Sequence, residues 1–272
     1  MSQQNVIDRF SAMSFSIGSI KGIPIRVHYF LPLITVITTF STYPYGGMAM
    51  LTYFIVIGPI LFCTILIHEL GHSWATRRVG GEVHSILMWP LGGLAFCGHA
   101  GDPKDDLFIA AAGPLTHLPG MLFWFLILLA ASTGNACLTC LDYDDVGKAI
   151  IIISFWMNFF LMLFNLCLPA YPLDGGRILV AIMLIHGFAV ETTAKTAVAI
   201  SAVASVGIAV WGVLPPFSLT TLLVGAWVGY AAYQLYQSIQ AGTIASHPMF
   251  VFTANANSSG SASAGGAGAA GA

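Results

Sequence analysis

The sequence predicts an α-helical polytopic membrane protein with six or seven transmembrane helices and a small β-hairpin or re-entrant segment between the second and third. Three observations lead there. Hydrophobic residues make up 57% of the chain and charged residues only 7%, against about 25% charged in an average soluble domain, so too little polar surface exists to coat a water-soluble globule. Apolar spans recur at 28–43, 49–75, 106–132, 148–168, 177–190, 196–214 and 217–238, most of them near the ~20-residue length that a bilayer requires. Glycine and proline are scattered through these spans, where membrane helices tolerate them better than soluble helices do.

Three regions follow along the chain. Residues 1–27 contain no uninterrupted apolar run of the signal-peptide kind and are expected to form a cytoplasmic N-terminal segment ahead of a retained first span. Residues 28–240 hold the transmembrane domain, and 241–272 a tail that becomes a Ser/Gly/Ala run, expected to be disordered, from about 254. The span beginning at Gly176 is short enough to be a half-helix or a continuation of its predecessor. Between the second and third spans, Val79–Cys97 (VGGEVHSILMWPLGGLAFC) mixes β-branched and large apolar residues with paired glycines and a proline, the pattern of a hairpin or re-entrant loop.

Orientation follows from the few cations. Arg9, Lys21 and Arg26 precede the first span, and Arg77, Arg78 and Lys104 flank the segment between the second and third. Both regions are therefore expected on the cytoplasmic side, with the loop carrying Asp142, Asp144 and Asp145 opposite. No basic stripe exists to hold nucleic acid, and a net charge of −2 points to no charged partner. Five cysteines are too few for a disulfide framework; the Cys137/Cys140 pair reads as plain thiols or a local disulfide rather than half of a structural zinc site.

The chemistry concentrates in one span. From Tyr29 to Thr76 the only formally charged residue is Glu69, within His68-Glu69-Leu70-Gly71-His72. The i, i+4 spacing puts both imidazoles on one helix face, and the glutamate beside them can act on a metal-bound water as general base. Without a metal, the same residues would leave a carboxylate in a membrane span at a cost of about 2.5–3.5 kcal/mol. A catalytic zinc usually takes three protein ligands and leaves a position for water, so a third ligand is expected in another apolar span. Asp174 is the best candidate: between Lys148 and Glu191 the only formal charges are Asp174 and Arg177, and Pro169, Pro172, Gly175 and Gly176 would break the helix and turn the aspartate inward. The competing reading is an Asp174–Arg177 pair facing water at a helix end. His28, His84, His99, His186 and His247 lack ligand spacing and read as interfacial or packing residues.

Leu66–Trp74 (LIHELGHSW) and Asn165–Arg177 (NLCLPAYPLDGGR) resemble the two signature motifs of the site-2 proteases, the zinc intramembrane metalloproteases. Gly22–His28, Pro90–Ala95 and Asp105–Leu115 resemble the family as well, so that the likeness covers roughly residues 20–190. It implies one Zn²⁺ per chain held by His68, His72 and Asp174, with Glu69 activating water, and Asn165 holding the substrate carbonyl or oxyanion. It implies a single-span membrane protein as substrate, cut within the bilayer, and leaves oligomeric state open. Two departures stand out. The stretch from Asn165 to Pro169 is one residue longer than the family pattern, and G-P-x-x-N reads Gly113-Pro114-Leu115-Thr116-His117. His117 is thus a candidate for lining the site, or for bonding a neighbouring helix.

Two other functions compete. A zinc transporter would need a path of polar residues, yet the spans offer little beyond His117, Asn158 and Asn165. A catalytically silent, site-2-protease-like binding protein is favoured by the altered asparagine motifs and disfavoured by the intact Glu69.

Overall fold

The computed structural model describes residues 13–98, 102–132, 136–215, 218–247 and 249–250. Arg9, His99 and the Ser/Gly/Ala run from 254 lie outside the described residues. Strands β1 (Ser14–Ile20) and β2 (Ile23–His28) precede helix α1 (Phe30–Phe40). Helix α2 (Gly47–Arg78) follows, then strands β3 (Glu82–Trp89) and β4 (Gly92–Gly98). Helices α3 (Pro103–Leu115), α4 (His117–Ala131), α5 (Val146–Cys167), α6 (Asp174–Ile185), α7 (Val190–Val213) and α8 (Leu219–Gln240) complete the order.

Among the described residues, four helical segments are long and apolar enough to cross a membrane: α2, the α3–α4 pair from Pro103 to Ala131, α5 and α7. The other expected spans differ from these. Helices α1 and α6 have 11 and 12 residues, about 16–18 Å of rise against a hydrocarbon core of about 30 Å. Helix α8 has 22 residues, but Gln234, Gln237 and Gln240 dilute its apolar character.

The expected hairpin is present as β3–β4 within a larger sheet of order β1-β2-β3-β4. The sheet extends into the N-terminal segment, where no strand was expected from the sequence. β1 pairs antiparallel with β2 across a two-residue turn, Lys21-Gly22, whose φ values of 50° and 78° are those of the primed turns that suit strand twist. β2 then runs parallel to β3, Ile25 opposite Ile86 and Val27 opposite Met88.

The chain forms two compact units: 1–77, 83–97 and 111–166; and 78–82, 98–110 and 167–272. In the first, Ile23, Ile25, Val27, Ile86 and Met88 pack against Phe62, Ile65, Leu66 and Leu70 of α2, which fixes the rotation of that helix beneath the sheet. Pro59 cannot donate a backbone hydrogen bond, and α2 accommodates it with a π turn at Val56–Ile60. Cys137 and Cys140 form a disulfide in the loop before α5, and Trp156 Nε1 donates to Leu138 O at 2.9 Å.

In the second unit α7 and α8 pack closely at small residues. A Cβ on Gly212 would stand 2.6 Å from Leu222 N, and one on Gly225 would stand 2.8 Å from Ala209 N, the close approach that small residues permit. Phe250, fully buried, packs with Met249, Val180, Ala194, Ala197 and Leu235. Met249 and Phe250 thus join the packing of this unit from beyond the end of α8.

Candidate metal centre

The i, i+4 spacing on α2 brings the histidine rings together: His68 Nε2 and His72 Nε2 are 3.1 Å apart. Both residues are buried, at 7% and 5% exposure. At that separation both nitrogens could reach a single zinc ion, whose bonds to histidine are about 2.05 Å long. Gly113 of α3 keeps the facing space open: a Cβ there would lie 2.8 Å from His68 Nε2 and closer still to His72 Nε2. The donor set and its cradle fit a zinc ion.

Glu69 is also buried, and its Oε2 accepts a 2.9 Å hydrogen bond from Ala95 N of β4. The approach depends on Gly93, where a Cβ would stand 2.5 Å from Glu69 Oε1. Gly71 plays the same part on the other side of α2. A Cβ there would meet Ala112 O at 2.9 Å and Thr116 Cγ2 at 2.6 Å, so the glycine inside the motif admits the α3–α4 backbone.

Behind His68 a polar chain crosses two more helices. His68 Nδ1 is 3.1 Å from His117 Nε2, and His117 Nδ1 is 3.1 Å from Asn158 Oδ1 of α5. Asn158 Nδ2 in turn donates to Ser154 O at 2.9 Å. His117 and Asn158 are 1% and 2% exposed. His117 therefore bonds two neighbouring helices, through His68 of α2 and Asn158 of α5.

Asp174 begins α6 and is 8% exposed, at the helix end where the backbone dipole favours an anion. A tight turn sets it there. Leu173 N bonds Ala170 O at 2.9 Å, and Tyr171 N donates to Ser201 Oγ at 2.8 Å. Gly176 lets this backbone pass, since a Cβ would be 2.6 Å from Ala170 C. Arg177 forms an ion pair with Asp106, itself buried. Asn165 is half-buried and donates through Nδ2 to Leu161 O of its own helix at 3.1 Å.

Sequence reasoning missed four parts of the site: Asn158, the Ala95 N–H, and the clearances at Gly93 and Gly113. Asn158 stood out only as a polar residue in a span, and Gly93 only as part of a turn signal and of the Pro90–Ala95 resemblance.

Residues 54–152 match the model of peptidase family M50. The Rip3 protein of Mycobacterium tuberculosis is 32% identical over 233 residues, 81% of this chain and 56% of that protein. A zinc metalloprotease of Methanocaldococcus jannaschii is 30% identical over 237 residues, 85% of this chain and 64% of that protein. Over that stretch the chain is similar to peptidase family M50. Among solved structures, a site-2 protease from Methanocaldococcus jannaschii superposes on this chain with a TM-score of 0.55 at 26% identity, covering 81% of this chain and 94% of that one. The chain spans 56% and 64% of the lengths of the two curated relatives. These likenesses and the apolar helices together make it an integral membrane protein.

Proposed function

We propose that this chain is a member of peptidase family M50, an intramembrane zinc metalloendopeptidase that hydrolyses peptide bonds in or near the transmembrane segments of single-span membrane proteins. The observation that carries the reading is the convergence of His68 Nε2 and His72 Nε2 to 3.1 Å on an apolar helix whose intervening Glu69 is anchored by Ala95 N. One zinc per chain is held by His68, His72 and Asp174. Two neutral imidazoles and a carboxylate form a three-ligand set that leaves a position for water, and the buried carboxylate at the start of α6 has the chemistry of the third member.

When bound, zinc acidifies a water and polarises the scissile carbonyl. The chain's own residues do the rest. Ala95 N–H holds Glu69 Oε2, leaving the other oxygen to take the proton of the attacking water and return it to the leaving amine. Asn165 uses one of its two Nδ2 hydrogens on Leu161 O; the second binds the substrate carbonyl or oxyanion. His117 lines the site behind His68. β4 stands at the sheet edge, where an unwound substrate segment would add as a further strand.

Helices α1, α6 and α8 complete a set of six or seven membrane elements. The site opens toward the cytoplasmic side, which Arg77 and Arg78 at the end of α2 support. The Cys137–Cys140 disulfide supports an oxidising compartment for the opposite loop.

The test is cleavage of a panel of single-span membrane substrates by purified protein beside Glu69→Gln, with zinc measured on both. Cleavage by the parent alone, with equal zinc, is expected. Stoichiometric zinc with no cleavage would move the weight to a silent client-binding protein, and absence of zinc would overturn the metal site.

A further inference from the structure

Resting on the zinc-peptidase reading, we propose that Asn158 and His117 are positioning residues that set the tautomer of His68, keeping the metal-facing nitrogen bare. Hydrogen-bond direction runs from α5 to α2. Ser154 O is a backbone carbonyl and can only accept, so the group of Asn158 lying 2.9 Å from it is the NH₂. That orientation leaves the amide oxygen, also an acceptor only, 3.1 Å from His117 Nδ1. His117 Nδ1 therefore carries the hydrogen. In a neutral imidazole the other nitrogen is then the acceptor, and His117 Nε2 lies 3.1 Å from His68 Nδ1.

His68 Nδ1 must accordingly donate. Its remaining nitrogen, Nε2, then carries a lone pair in place of a hydrogen and is the atom that faces His72 Nε2. Had Asn158 pointed its NH₂ at His117, each step would reverse, and His68 would present an N–H where a metal needs an electron pair. An asparagine two helices away thus decides which nitrogen of His68 can bind zinc.

An independent observation supports a built arrangement. Gly120 lies one turn after His117 on α4, and a Cβ there would stand 2.6 Å from Asn158 Oδ1. Glycine at 120 is what allows Asn158 to reach His117. The partners also rigidify His68, since a ligand imidazole held through its second nitrogen cannot rotate away from the metal.

The experiment measures zinc affinity by chelator competition on the purified full chain, parent beside Asn158→Leu and Asn158→Asp, with thermal unfolding followed in parallel. Aspartate keeps the acceptor facing His117, whereas leucine removes it. Asn158→Leu is expected to bind zinc 10- to 100-fold more weakly, as loss of such a partner typically does, and Asn158→Asp to stay within about threefold of the parent. Equal affinities for the leucine variant and the parent would overturn the proposal. A second measurement needs no variant to fold. Long-range ¹H–¹⁵N spectra of the zinc-loaded, histidine-labelled parent should show His117 protonated at Nδ1 and bare at Nε2; the reverse pattern overturns the proposal. Failure of the peptidase reading would look different, because the parent itself would then lack zinc or cleave no substrate.

Discussion

Gly113→Ala tests the cradle directly. The added methyl would start 2.8 Å from His68 Nε2 and nearer to His72 Nε2, whereas an ordinary van der Waals contact begins at 3.4 Å. Relief therefore requires at least 0.6 Å of separation between α3 and the two rings, about three times the ±0.2 Å that metal–ligand distances tolerate. Zinc affinity should fall by about 100-fold or more, which at 1.4 kcal/mol per decade is roughly 2.8 kcal/mol. The assay is chelator competition on purified protein, with thermal unfolding as a check on folding. Gly207→Ala is the control, since a Cβ there meets nothing within 4 Å. Zinc binding by Gly113→Ala within threefold of the parent would refute the idea that the histidines and the α3 backbone enclose the metal position.

Three further outcomes are expected. Gly93→Ala should displace Glu69 from Ala95 N while leaving zinc stoichiometry intact, lowering kcat by about 10²–10⁴ as loss of a general base does; unchanged turnover would separate Glu69 from the sheet contact. Asp106→Ala should strip the buried partner from Arg177 and cost about 3 kcal/mol, with much of the loss recovered by adding Arg177→Met. A drop in unfolding temperature no smaller in the double variant would argue against that ion pair. His247, beside the Tyr171 ring with its Nδ1 accepting from Met249 N, has its pKa pushed down by burial to about 4. The folded state therefore binds fewer protons than the unfolded one, and this stability is present above about pH 6.5 and is lost as pH falls toward 4. Unfolding of the parent should ease by on the order of 2 kcal/mol between pH 7.5 and 5, and His247→Phe should remove that dependence; an unaltered slope would show that other groups set it.

The parts of the site legible in the sequence are those that depend on local spacing. His68 and His72 share a face because a helix repeats every 3.6 residues, and Glu69 stood out because charge is scarce in an apolar span. Asp174 was visible for the same reason. The paired glycines and proline of 79–97 foretold β3–β4, since those residues punctuate the backbone locally. The strands at 14–28 were missed: their pairing with β3 joins residues about sixty apart, and polar residues in the segment masked its alternation. The lengths of α1 and α6, 11 and 12 residues, were not legible because the apolar runs around them extend past the helix ends.

The sequence by itself determined that the chain lives in a membrane and carries a histidine–glutamate–histidine motif, because composition and helical period are properties of neighbouring residues. Only the tertiary structure decided that Gly93, Gly113 and Gly120 are clearances, and that Ala95, His117 and Asn158 hold Glu69 and His68. A hydrogen bond between two helices, or the gap a missing methyl leaves, depends on how distant segments pack, and no local pattern in the chain encodes that distance.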